Sequence, residues 1–219
     1  LITCKLVNSS NCQLTACRRH AKLIHNMLDN LKKYNIVLAS NSPRRRELLA
    51  GLGIEFTVKV LPDIDESYSP TLPATEVAEY IAEKKAKAYK SLLHADDLII
   101  TADTVVIVGN KILGKPHDAA EAKEMIRDIS GKTHCVVTGV CITGRDVHRS
   151  FSVSTDVSFS QLTDEEIEYY VERYKPFDKA GAYGIQEWIG FIGVTSLSGS
   201  YYNVMGLPVQ RIYTELKSL

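Results

Sequence analysis

Neither sign of charge is in excess: 26 Lys and Arg face 26 Asp and Glu over 219 residues, for a formal net charge of zero. General nucleic-acid and membrane-surface binders usually carry a basic surplus, so neither a nucleic-acid polymer nor a membrane is an expected partner; a local basic site stays open. The sequence has no Walker-type GxxxxGK[ST] and no GxGxxG element, which leaves a P-loop and a dinucleotide fingerprint unsupported. It has no unbroken apolar run of transmembrane length. Cysteine is scarce, with five residues and no CxxC spacing, a poor basis for a zinc ribbon or a disulfide framework. Cys135 and Cys141 alternate with Val and Ile and read as small buried apolar residues. A reducing compartment and a cytoplasmic location are the expectation.

Residues 1–26, which include Cys4, Cys12 and Cys17, show no helical or strand period and no basic start followed by an apolar middle and a cleavage site. They are expected to be an appended extension, non-native or disordered, with Met27 reading as a natural start. Residues 27–219 are expected to form a single domain. With 45% hydrophobic and 24% charged residues, the chain has the composition of an ordinary globular protein, one full domain or two small lobes sharing a cleft.

From Met27 onward, short apolar runs alternate with amphipathic stretches, which predicts an α/β fold. Ile36 to Ala39 reads as a strand running into a helix, with Ser42 as N-cap and Pro43 at the first helical position. Ile54 to Val60 reads as a second strand. Thr75 is expected to cap a helix whose inward stripe includes Ala78, Ile81, Ala82, Lys85 and Tyr89. Leu98 to Val108 and Lys111 to Leu113 form a hairpin about Gly109-Asn110. Asp118 and Glu121 suggest a capping box for a helix through Ile129, Thr133 to Thr143 and His148 to Ser160 read as strands, and Thr163 with Glu166 opens another helix. A Gly-rich loop, an apolar strand around Ile189 to Val194 and a helix primed by Pro208 complete the reading.

Four clusters can carry chemistry. Ser40, Ser42, Arg44, Arg45 and Arg46 stand at a strand-to-helix turn, where free amides, the helix dipole and guanidinium groups suit phosphate; the plain alternative is a solvated basic patch. Asp65, Glu66 and Asp103 are carboxylates suited to a hard divalent cation. Asp103 stands out because it interrupts an apolar strand, where an unpartnered charge is costly; a strand-end Asp bonded to a turn is the alternative. Lys85 on an apolar stripe and Lys115 before Pro116 can meet triphosphate charge, or else snorkel and solvate a turn. The run Asp178 to Gln186 has small residues that let a ligand approach the backbone, with Tyr183 and Gln186 able to stack on a base or bond its edge; by itself it reads better as a Gly-rich turn.

Taken together, Leu38-Ala39-Ser40-Asn41-Ser42-Pro43-Arg44-Arg45, Ala102-Asp103-Thr104, Gly114-Lys115-Pro116, Asp178-Lys179-Ala180-Gly181-Ala182-Tyr183-Gly184-Ile185-Gln186 and Gly206-Leu207-Pro208 resemble the Maf nucleotide pyrophosphatases, from about Asn35 to the C-terminus. The resemblance implies a mixed twisted sheet with flanking helices, of the Maf and inosine-triphosphate-pyrophosphatase type, with two lobes around a nucleotide cleft and homodimers. It implies hydrolysis of a nucleoside triphosphate between the α and β phosphates with Mg²⁺ or Mn²⁺. Asp103 matches the proton acceptor, and Glu66, Lys85 and Lys115 match the phosphate and metal site, with Glu66 and Asp103 as metal ligands. Arg44, Thr104 and Gln186 resemble the dTTP and UTP subgroup rather than the 7-methyl-GTP subgroup, with Ser42 and Arg45 beside them. An enzyme acting on 7-methyl-GTP or another modified nucleotide, and a nucleotide-binding regulator of cell division without turnover, are the alternatives.

Overall fold

The computed structural model describes residues 27–219, so the extension expected over 1–26 lies outside the described residues. In chain order the strands are β1 (Asn35–Leu38), β2 (Thr57–Val58), β3 (Asp97–Val108), β4 (Lys111–Leu113), β5 (Thr133–Thr143), β6 (His148–Phe159) and β7 (Val194–Ser198). The helices are α1 (Pro43–Ala50), α2 (Ala74–Tyr89), α3 (Ala119–Ile129), α4 (Asp164–Tyr174), α5 (Trp188–Gly193), α6 (Tyr201–Val204) and α7 (Val209–Lys217). They build one seven-stranded mixed sheet in the order β2-β1-β3-β5-β6-β7, with β4 paired to β3. This is the mixed α/β architecture expected.

The two faces of β3 are covered differently. Thr101, Val105 and Ile107 face α2: the Thr101 hydroxyl donates to Ala82 O, and Val105 and Ile107 pack with Val77, Ala78 and Ile81. Leu98, Ile100 and Ala102 face the other way, into a core with Leu48 and Leu49 of α1 and Ile212 and Leu216 of α7. Val106, also on that second face, belongs to a separate core with Ile126 of α3, Tyr170 of α4 and Ile189 of α5. The face is thus split into two lobes, and Thr104 falls between them. Gly139 explains how closely α2 sits: a Cβ there would come within 2.2 Å of the Glu79 amide nitrogen, so only glycine lets the helix rest on β5.

Four local expectations are corrected. The strand expected over Ile54 to Val60 pairs only at Thr57–Val58, parallel to β1, because this segment lies at the sheet edge with both side chains exposed. Helix α2 begins at Ala74 after Pro73, and Thr75 makes no cap. Trp188–Gly193 is a helix, and the strand follows it at Val194–Ser198; a short apolar run does not separate the two by periodicity alone. Asp118 does cap α3, but the Glu121 carboxylate reaches the His117 amide, so the box is displaced by one residue. The Thr163 and Glu166 capping box is present in full.

Candidate active site

β1 ends at Leu38, opposite Ile100, and β4 begins pairing at Val106 of the same β3 edge. Between those points the β3 edge is open. A cleft of about 490 Å³ occupies the gap, and its lining includes Ser42, Arg44, Arg45, Glu66, Lys85, Asp103, Thr104, Lys115 and Gln186. These nine residues, singled out from the sequence for substrate or metal, therefore meet in one place, whereas Arg46 and Asp65 do not line the cleft.

On the α2 side of the edge, Lys85 extends from the helix to Asp103, with Nζ 2.7 Å from Oδ1 and 3.0 Å from Glu66 Oε1. Its apolar neighbours Ala82, Ala86 and Tyr89 are buried, which directs the long stem along α2 toward the strand. The acidic loop is tied down beside it. Lys84 holds Asp65 at 2.6 Å, and the Tyr89 hydroxyl accepts from the Leu61 amide and donates to Lys59 O. The lysine and the bond from Ser67 hold the exposed Asp65 carboxyl well below its usual range.

On the opposite face, the Ser42 hydroxyl accepts from the Arg45 amide at 3.4 Å and opens α1, so the three arginines fan out from its first turn. They part company there. Arg44 pairs with Asp178 at 2.8 Å, whereas Arg46 turns back to Asn41. Arg45 fills the open strand edge: it donates to Ala102 O, to Gly206 O and to the Thr104 hydroxyl. Burial lowers its pKa, opposed by the attraction of Asp103. Three of the five Arg45 N–H donors are thus taken by two carbonyls and a hydroxyl at the strand gap, while Arg45 still lines the cleft with Arg44 and Arg46 turns away from it.

The segment from Asp178 to Gln186 closes the far wall. Lys179, 8% exposed, reaches Asp178 Oδ1 at 2.8 Å and Glu187 Oε1 at 3.1 Å. Burial would raise the Asp178 carboxyl, but Lys179 and Arg44 outweigh it and hold it below its usual value. Glu187 also accepts from the Tyr170 hydroxyl, which accepts in turn from the Gly184 amide. The Gly181 amide donates to Gly114 O at 2.9 Å, joining this wall to the loop that carries Lys115. Among the described residues lining the cleft, Lys115 is the cation with neither an ion pair nor a hydrogen bond, which leaves it available to an incoming anion. Tyr183, read from the sequence as able to stack on a base or bond its edge, lines the cleft but is buried, with its hydroxyl 2.7 Å from His134 Nε2 and its ring against Phe159.

The sequence reading missed Lys179, Glu187 and Tyr170. A lysine among glycines carries no periodicity, and partners 8 and 17 residues away announce nothing by spacing. Among the described residues no group of three or more His, Cys, Asp or Glu is placed to hold a metal, and no helix is long and apolar enough to cross a membrane. Asp103 and Glu66 nevertheless converge on one point, now spanned by an ammonium group. Two carboxylates suit Mg²⁺, which usually takes one or two from the protein and completes its shell with phosphate oxygens and water.

The family model described as Maf-like protein matches residues 35–219. Over 193 residues the chain is 62% identical to a protein of Phocaeicola vulgatus named dTTP/UTP pyrophosphatase, covering 88% of this chain and all of that one. Proteins of the same name from Bacteroides thetaiotaomicron and Porphyromonas gingivalis are 56% and 59% identical, covering 88% and 87% of this chain and 100% and 97% of theirs. A HAM1 protein from Coxiella burnetii, solved as a structure, is 16% identical over 85% of this chain and all of that chain, with a TM-score of 0.45.

Proposed function

The chain belongs to the Maf family, and on that premise we propose that it is a pyrophosphatase that hydrolyses dTTP and UTP to the monophosphate and pyrophosphate. The observation that carries the reading is the open edge of β3, where one cleft holds the Asp103, Lys85 and Glu66 cluster on one side and Arg45 and Thr104 on the other. Relatives of this length and identity are named for this activity.

The mechanism follows from charge and position. Phosphoryl and nucleotidyl transfer need charge neutralised and reactants aligned more than they need covalent help. Lys115 and Lys85 supply positive charge to the triphosphate. Asp103, half-buried and held by Lys85, orients the attacking water and takes its proton. A Mg²⁺ or Mn²⁺ ion held by Asp103 and Glu66 would supply Lewis-acid charge to the phosphate oxygens. Gln186 and Arg44 stand at the other wall with Thr104, where the Gln186 amide can donate to a carbonyl of the edge shared by thymine and uracil.

A panel of nucleoside triphosphates with Mg²⁺ tests the assignment. dTTP and UTP are expected to exceed CTP, ATP and GTP by at least about tenfold in kcat/KM, because a site with buried polar groups rejects mismatched edges. A purine or 7-methyl-GTP at the head of the ranking would overturn it.

A further inference from the structure

Thr138 lies one strand behind the cleft, on β5, opposite Thr104 in the antiparallel register, and it is fully buried. Its hydroxyl stands 3.1 Å from the backbone oxygen of Asn203 and 3.0 Å from the Thr104 hydroxyl. A carbonyl oxygen only accepts, so the Thr138 proton goes to Asn203 and the proton between the two threonines belongs to Thr104. In the remaining contact on Thr104, at 3.1 Å, Arg45 is the donor. Thr104 therefore gives its single proton inward and keeps one lone pair for the cleft that it lines.

The reverse arrangement has Thr138 donating to Thr104 and Thr104 donating into the cleft. It forfeits the bond to Asn203 O, a carbonyl that also accepts from the Gly206 and Met205 amides. A ligand acceptor at this position thus gains a bond only by breaking one that the protein makes unaided. A ligand N–H gains one with no such loss.

We infer that Thr138 is a positioning residue: it fixes Thr104 as a hydrogen-bond acceptor and thereby selects a pyrimidine ring protonated at N3 over one whose N3 accepts. Thymine and uracil carry that proton, and cytosine does not. The inference rests on the proposed function, with the base of a pyrimidine nucleotide lying against Thr104.

The test compares wild type, Thr138→Val and Thr138→Ser for kcat/KM on UTP and CTP, and for the affinity of both nucleotides by calorimetry without added metal. Valine matches threonine in shape but removes the acceptor, which frees the Thr104 proton for the cleft. The UTP to CTP ratio is expected to fall about tenfold, the worth of one hydrogen bond, mainly through a gain on CTP in KM rather than kcat. Serine restores the hydroxyl and is expected to keep the ratio within about twofold of wild type. Should the valine variant fail to fold, Thr138→Cys, whose thiol is a poor acceptor, carries the same expectation. An unchanged ratio in Thr138→Val, or an equal loss in Thr138→Ser, would overturn the inference. Wild type that binds UTP over CTP in a Thr138-dependent way yet turns over neither would keep the inference and remove the proposed function.

Discussion

Asp103 and Thr104 are adjacent in sequence but face opposite sides of the sheet, Asp103 bonded to Lys85 of α2 and Thr104 to Arg45 of α1, and both line the same cleft. That is possible only because β1 ends and β4 begins on either side of them, so a ligand at the open edge reaches both faces. One short piece of strand can then meet the two unlike ends of a nucleotide.

Replacing Asp103 by Asn separates binding from turnover. The amide is nearly the same size but is neutral and a far weaker base, so kcat is expected to fall by about 10²- to 10⁴-fold. Nucleotide affinity measured by calorimetry should change by no more than a few-fold. Near-normal turnover in the folded variant would remove Asp103 as the proton acceptor and favour another role for the cluster.

The far wall of the cleft depends on a buried lysine. Lys179→Met leaves the Glu187 carboxylate without its cation in a site where the two side chains are 9% and 20% exposed. Loss of one partner of a buried pair costs about 3–5 kcal/mol, so urea denaturation should show a loss of that order. Adding Glu187→Gln is expected to return a large part of it, since the second change removes the stranded charge. Additive losses in the double variant would show that the two residues do not act as a pair.

How far the sequence discloses this site depends on the kind of interaction. Ser42 as N-cap, the Thr163 and Glu166 box and the Gly109-Asn110 hairpin are local, and each is present as read. Asp103 is legible because a carboxylate is conspicuous in an apolar strand. The bonds that Arg45 makes are not legible, because its partners Ala102 O and Gly206 O lie 57 and 161 residues away, and no local pattern reveals a gap in a strand edge. Gly206 adopts a φ of +107°, open to glycine, and so presents that carbonyl. Thr138 is invisible for a different reason: in an alternating strand it reads as one more buried β-branched residue, and only its partners give its proton a direction.

His134 sets a pH dependence of stability that is separable from catalysis. Burial, opposed by Asp156, holds its imidazole at about 4 against an ordinary 6.5, so the folded protein keeps it neutral where the unfolded chain takes up a proton. The stabilisation is present above pH 6.5 and is lost as pH falls toward 4. Between pH 7 and pH 5 this amounts to about 2 kcal/mol. His134→Gln, which can still accept from the Tyr183 hydroxyl, is expected to flatten that interval in urea titrations. The depressed carboxylates, Asp178 among them, act mainly further down the scale. An equal slope in wild type and variant would contradict the assignment.

The most direct measurement of the central claim is the identity of the first products. dTTP incubated with the protein and Mg²⁺, followed by phosphorus NMR from the earliest time points, is expected to give pyrophosphate and dTMP in equal amounts, with no dTDP intermediate. Orthophosphate with dTDP as the primary products would place the cleavage at the wrong phosphate and contradict the account.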